Sequence, residues 1–190
     1  MERIPRLVFV RGSVSRVPPR ARGKGTTDKI SVVVAVEMLE PKGFGRIRLR
    51  RIVKESTEFV VPFVQASVEP GAKVRTDGSA IYRYLQSLGY AHERAVQLGS
   101  DVAPHVSMAG AHRVASLFKR WILGTHHGSV QPEHLDACLD EFVFRFNRRT
   151  SSPRGMLFYR LVQQAVVTDP VTYGDIVLPT LETAEAAKWS

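Results

Sequence analysis

The hydrophobic pattern divides the chain into short strand-like runs followed by longer helical ones. Leu7–Val10 is a four-residue apolar run that suits a short strand. Ile30–Glu37 is a nearly unbroken β-branched run, as expected of a central strand buried on both faces. A turn at Lys42–Gly45 leads into Gly45–Val53, where basic and apolar residues alternate. That period of two predicts a half-buried strand with Arg46, Arg48 and Arg50 on one face, close enough in sequence to pair with its predecessor as a hairpin. Phe59–Val68 predicts a helix, with Pro62 tolerable only near the first turn, and Pro70-Gly71 stops it. Lys73–Asp77 is a short strand that ends in an acid.

Helical spacing dominates the rest. After Ser79 as a cap, Ile81, Tyr84, Leu85 and Leu88 predict an apolar face, with Gly89 as its stop. His92–Leu98 suits one more strand, and Ser100–Gly110 a loop. Ala111–Leu123 carries Val114, Leu117, Phe118, Trp121 and Ile122 on one stripe, with Gly124 expected to end the helix. Glu133–Arg148 carries Leu135, Cys138, Leu139, Phe142, Val143 and Phe146 on one stripe, with Pro132 near its start. Met156–Val167 is a third helical segment. The fold class is therefore α/β: a mixed sheet with an antiparallel start and parallel additions, flanking helices and a helical C-terminal part. Its expected parts are a basic irregular segment at 1–29, a folded domain at 30–167 and a loosely attached tail at 168–190. No internal repeat is present.

Charge changes this picture because it is uneven. The 190 residues carry a formal net charge of +9. Residues 1–54 hold 14 basic and 4 acidic side chains, and the remainder is close to neutral. Gly12–Lys29, rich in Arg, Pro, Gly, Ser and Thr, reads as a mobile basic loop. A concentrated positive region points to a polyanion, with nucleic acid the leading candidate and a solubilising face the alternative. No apolar run approaches the ~18 residues of a membrane span. The four residues Leu7–Val10 are too few for a signal-peptide core. A single cysteine, Cys138, forbids an internal disulfide or a Cys-rich zinc ribbon.

Asp77 is the most suggestive acid, at the C-terminal end of a predicted central strand, where ligands gather in open α/β sheets. A carboxylate there suits Mg²⁺ or Mn²⁺, and a pair of such ions activates a water or hydroxyl for attack on phosphate. The competing reading is a turn or capping aspartate. His105, His112, His126, His127 and His134 fall close together, but their spacing fits no closed zinc site, which leaves phosphate contact or helix-end packing. At 100° per residue, His134, Glu141 and Arg145 share one flank of their helix, and Asp136, Asp140 and Asn147 share the other. Glu141 is a candidate metal ligand or an i,i+4 partner of Arg145. Lys119, Arg120, Arg145, Arg148 and Arg149 are candidates for phosphate contact, against a merely solvated face.

Thr76-Asp-Gly78 with Tyr82, Gly89-Tyr90 and His92 resembles a segment of ISXO-like insertion-sequence transposases. Ser116–Gly128 (SLFKRWILGTHHG) resembles a second block of that family, and His134-Leu with Leu139–Arg149 (LDEFVFRFNRR) a third. Arg154-Gly and Leu157–Leu161 extend the similarity, which covers roughly residues 30–167. The resemblance implies a DDE-type transposase with a ribonuclease-H-like core, and metal-dependent DNA cleavage and strand transfer with Mg²⁺ or Mn²⁺. It further implies DNA as partner, a possible homo-oligomer, and a bacterial cytoplasmic, nucleoid-associated location.

On that resemblance Asp77 is the second catalytic aspartate, Glu141 the best further acid and metal ligand, and Lys119 the retained lysine. Arg46, Arg48, Arg50, Arg120, His126, His127, Arg145, Arg148 and Arg149 are the DNA-contacting set. Two departures accompany it. The stretch Arg6–Gly12, where the family carries its first aspartate, has no acid, and Leu117 stands where relatives carry Asn or Glu. The expectation is a transposase catalytic domain with impaired catalysis. The alternatives are a non-catalytic DNA-binding remnant, or an N-terminal basic segment with no selected role.

Overall fold

The computed structural model describes residues 4, 8–11, 30–39, 43–94, 109–127, 130, 132–153 and 155–174. The loop at 12–29, the second half of the expected His92–Leu98 strand, the 100–108 loop with His105, and the tail beyond 174 lie outside these residues. The strands are β1 (Val8–Arg11), β2 (Ser31–Met38), β3 (Phe44–Ile52), β4 (Lys73–Thr76) and β5 (Ala91–Arg94). The helices are α1 (Thr57–Ser67), α2 (Ala109–His126), α3 (Pro132–Asn147) and α4 (Gly155–Val167).

One five-stranded sheet, in the order β3-β2-β1-β4-β5, organises the molecule. β2 is antiparallel to both β1 and β3, whereas β4 runs parallel to β1 and β5 parallel to β4. The expected antiparallel start with parallel additions is what forms. The valine-rich β2 is buried on both faces, and its alternation separates two cores. Val32, Val34 and Val36 join Ile47 and Leu49 beneath α2 and α3. Val33 and Ala35 join Ile52, Val74, Tyr82 and Leu85 beneath α1. Because the side-chain period of a strand is two, this single run of small β-branched residues supplies both layers.

The hairpin between β2 and β3 contains a bulge between Val36 and Met38. Glu37 is buried there, and its carboxylate accepts the Arg46 backbone N–H at 2.8 Å. A β-carbon on Gly45 would lie 2.2 Å from that carboxylate, so only glycine fits opposite the bulge. Arg46, Arg48 and Arg50 do share one face, since Arg48 pairs with Ala35 and Arg50 with Val33 on the α1 side.

Three expected elements form differently. First, α1 starts at Thr57, which places Pro62 in its second turn rather than its first. The ring removes a helical hydrogen bond, but Val60, Phe63 and Val64 are buried on the sheet and hold the turn in place. Second, the segment after Ser79 is a 3₁₀ turn, Ala80–Tyr82, followed by turns up to Gly89. Its bonds run Tyr82 N–H to Ser79 C=O and Leu85 N–H to Tyr82 C=O. Three residues per turn stack Tyr82 above Leu85, which are both buried, and leave Tyr84 46% exposed. Third, Gly124 does not end α2, which runs on to His126. Contacts of that last turn outweigh the ~1 kcal/mol helix penalty of a glycine. His126 packs on the Trp121 ring at 5.4 Å and approaches the Cys138 sulfur of α3 at 3.6 Å. The reversal falls instead on His127, in the left-handed region at φ 52°.

Helix α4 stands apart from both cores: none of its residues is buried, and Phe158 is 72% exposed. No helix among the described residues is long and apolar enough to cross a membrane.

Candidate functional site

Asp77 follows the last residue of β4, at the edge of the sheet where the parallel strands β1, β4 and β5 end. Its local role is plain. The Asp77 carboxylate accepts the Ser79 backbone N–H at 3.2 Å, and Gly78 between them has φ 83°. An aspartate that bonds the amide two residues on, next to a glycine free to take a positive φ, makes a tight reversal. The capping reading of Asp77 therefore describes what its side chain does in this structure. Beneath it, Thr76 is fully buried, and its hydroxyl lies 2.9 Å from Nε2 of His92 on β5. Burial lowers the His92 pKa below its ordinary value, and the neighbouring Arg94 lowers it further.

The strand register identifies the strand beside β4. Val8 pairs with Val74, Phe9 with Arg75, and Val10 with Thr76. β1 ends one residue beyond Val10, at Arg11, as β4 ends at Thr76. The strand beside β4 therefore carries no acid over Val8–Arg11 and ends in an arginine.

The two other acids considered as ligands lie elsewhere. Glu141 belongs to α3, which packs on β3 at the far edge of the sheet from β4 and β5. It forms a 2.7 Å ion pair with Arg145, one turn further along the helix. Glu37 is level with Val8 and Val74 in the register, two strands across and three residues short of Asp77, roughly 10 Å in each direction. It is also committed to the β2–β3 bulge. Among the described residues no three His, Cys, Asp or Glu side chains are grouped to hold a metal ion. Lys119 is exposed on α2, while Leu117 is half-buried against the core below that helix.

The basic candidates separate by what they touch. Arg149 donates to the backbone carbonyls of Phe146 (2.8 Å), Gly45 (3.3 Å) and Phe44, and lies 4.0 Å from the Phe146 ring. Burial lowers its pKa from the ordinary value. Beside it, Asn147 accepts the Ile47 N–H at 2.7 Å and donates to the Ile47 carbonyl at 3.1 Å. One amide thus satisfies both outward groups of a residue on the edge strand β3, a pairing that helical periodicity cannot reveal. Arg48 donates to the Ile47 carbonyl, and Arg50 lies 5.9 Å from the Phe63 ring. His126 is held between Trp121 and Cys138. Arg120, His127 and Arg145 are exposed, and Arg148 lies over the Phe144 ring at 3.9 Å. Arg46 is half-buried beside the bulge.

Residues 8–147 match the family model of the ISXO2-like transposase domain. The chain belongs to that family. The match begins at β1, well before residue 30, and ends with α3, so it includes both Arg11 and Asp77 and leaves out α4. No curated protein matches the chain.

Proposed function

We propose that this transposase-family chain is a ribonuclease-H-like core that binds DNA, and that its metal-dependent strand cleavage and transfer is impaired. The strand order β3-β2-β1-β4-β5, with its antiparallel first half and parallel second half, supports that architecture. The observation that carries the functional reading is the setting of Asp77, whose carboxylate closes its own turn. The family's chemistry calls for clustered carboxylates that share Mg²⁺ or Mn²⁺. Here no such group is present among the described residues, Asp77 serves its own turn, and the neighbouring strand β1 ends in an arginine. The described residues do not fit a shared metal pair, so no step is routed through one.

On this reading the exposed Arg120 and His127 toward the end of α2, and Arg145 and Arg148 toward the end of α3, meet the DNA backbone, and Arg46, Arg48 and Arg50 add positive charge on the opposite face of the sheet. Lys119 and Glu141 are then surface groups rather than catalytic ones. Assembly into a homo-oligomer and action in the bacterial cytoplasm, at the nucleoid, accompany the proposal.

The test pairs duplex binding with a nicking assay in Mg²⁺ and Mn²⁺. The expected result is binding that weakens steeply as salt rises, because phosphate contacts release counterions, with no nicked product. Robust metal-dependent nicking that disappears in Asp77→Asn would overturn it.

A further inference from the structure

We propose that the cleft between the end of α3 and the first turns of α4 holds a phosphodiester of the DNA backbone, gripped by Arg148 and Arg160. The inference rests on the DNA-binding reading above and goes further by naming the ligand group, its seat, and Arg160 as a second contact.

Three observations carry it. First, two depressions of about 270 and 240 Å³ lie at the α3–α4 junction, and Arg148 and Arg160 line both. Thr150 and Ser151 add hydroxyls to the first, and Gln163 and Gln164 add amides to the second. Arg160, Gln163 and Gln164 follow one another at i, i+3 and i+4, so a single polar face of α4 is turned to Arg148. Second, no acidic residue lines either depression. Two guanidinium groups that share a cleft without a carboxylate repel each other, and an anion between them reverses that repulsion into attraction. Third, Arg148 is placed beforehand. Its guanidinium lies over the Phe144 ring at 3.9 Å, and its carbonyl accepts the Ser151 N–H at 3.0 Å, which sets the turn out of α3. A guanidinium stacked by its flat face keeps its edge donors for a ligand, and that planar fork matches two phosphate oxygens. Size selects the class of ligand. The larger depression is below the ~300–1,000 Å³ of pockets that enclose a whole small molecule, so it takes one group of a longer polymer.

The experiment uses the full chain and a fluorescent DNA duplex of arbitrary sequence, with anisotropy read across a salt series. Arg148→Gln and Arg160→Gln should each lower the slope of log affinity against log salt by about 0.9, the loss expected for one phosphate contact, and the double variant by about twice that. Arg160→Lys, which keeps the charge, should keep the wild-type slope. Arg83→Gln is the control: Arg83 is exposed and lies over the Tyr84 ring at 4.7 Å, and its loss should leave the slope unchanged. Melting curves confirm that each variant is folded, and Arg160→Gln keeps the test decisive if Arg148→Gln is not, because no residue of α4 is buried. Duplex binding in which Arg160→Gln keeps the wild-type slope, or in which Arg83→Gln loses as much, would overturn this inference and leave DNA binding standing. A melting temperature raised by inorganic phosphate in the wild type but not in the two Gln variants, with duplex slopes unchanged, would assign the cleft to free phosphate and overturn it likewise. No duplex binding at any salt would overturn both this inference and the DNA-binding reading.

Discussion

The corner where α3 meets β3 and the edge where β1 meets β4 are both rich in polar groups, yet those groups have opposite employment. At the corner, Asn147 and Arg149 face inward to the backbone: the amide pairs with both outward groups of Ile47, and the guanidinium gathers the carbonyls of Phe44, Gly45 and Phe146. At the edge, Asp77 turns the chain beyond β4, at the end of strands where the sheet opens to a ligand. Donors saturated by carbonyls of their own chain are poor readers of DNA. A basic block such as Arg145–Arg149 is therefore not one functional unit: its parts divide between fold and surface according to which carbonyls lie within reach.

The largest effect expected from breaking this contrast lies at the corner. Asn147→Ala removes two hydrogen bonds from a half-buried edge strand and should cost about 2 kcal/mol, at ~1 kcal/mol for each bond. Arg149→Met, which keeps the apolar stem, should cost roughly 1–2 kcal/mol. Both are measured as losses in urea unfolding free energy, and an unchanged midpoint for either would show that the corner does not hold α3 on the sheet.

Asp77 comes next, because two substitutions separate its roles. Asp77→Ala loses the bond to the Ser79 N–H and should cost about 1 kcal/mol, as for a lost cap, whereas Asp77→Asn keeps an accepting oxygen and should unfold like the wild type. Equal destabilisation by both would mean that the negative charge, not the turn, matters there.

A smaller effect is expected in the pH dependence. His92 is held below its ordinary pKa of 6.5 by burial and by Arg94, so the unfolded chain binds its proton first. Stability is then fully present above pH 6.5 and falls as the pH drops below that value toward the lowered folded pKa. His92→Asn should flatten that slope in thermal melts between pH 7 and pH 5, and an unaltered slope would assign it to other groups. The smallest effect belongs to Arg145, whose exposed i,i+4 pair with Glu141 is worth less than ~0.5 kcal/mol. Arg145→Ala should leave stability within error while weakening duplex binding, which separates a DNA contact from a structural one.

The sequence made much of this molecule legible, and unequally. The period-two alternation of Gly45–Val53 and the valine run of β2 are local signals of burial, and both strands form where the pattern sets them. The stripes of α2 and α3 pack as spaced, with Phe118, Leu135 and Leu139 in the core. The segment after Ser79 misled because apolar residues at 81, 84, 85 and 88 fit a helix, while the bonds that form close three-residue turns. Gly124 misled because a stop signal was overridden by contacts of His126 with Trp121 and Cys138.

The site was half legible. Asp77 stood out, and the stretch lacking an acid could be noted, while the i,i+4 pairing of Glu141 with Arg145, one of the two roles its spacing allows, is present. The flank position of Glu141 describes α3 alone, not the neighbours of α3.

What the sequence by itself determined is the set of elements, the two apolar layers, the family, and the charge concentrated in the first 54 residues. Each of these depends on residues near one another along the chain or on the ordered blocks they form. Only the tertiary structure decided which segments become lateral neighbours: β1 beside β4, Asn147 on Ile47, Glu37 against Gly45. The physical reason is that hydrophobic period records which face of an element is buried, whereas register and strand order arise from pairings between segments tens of residues apart, and a shift of one residue would change every such partner.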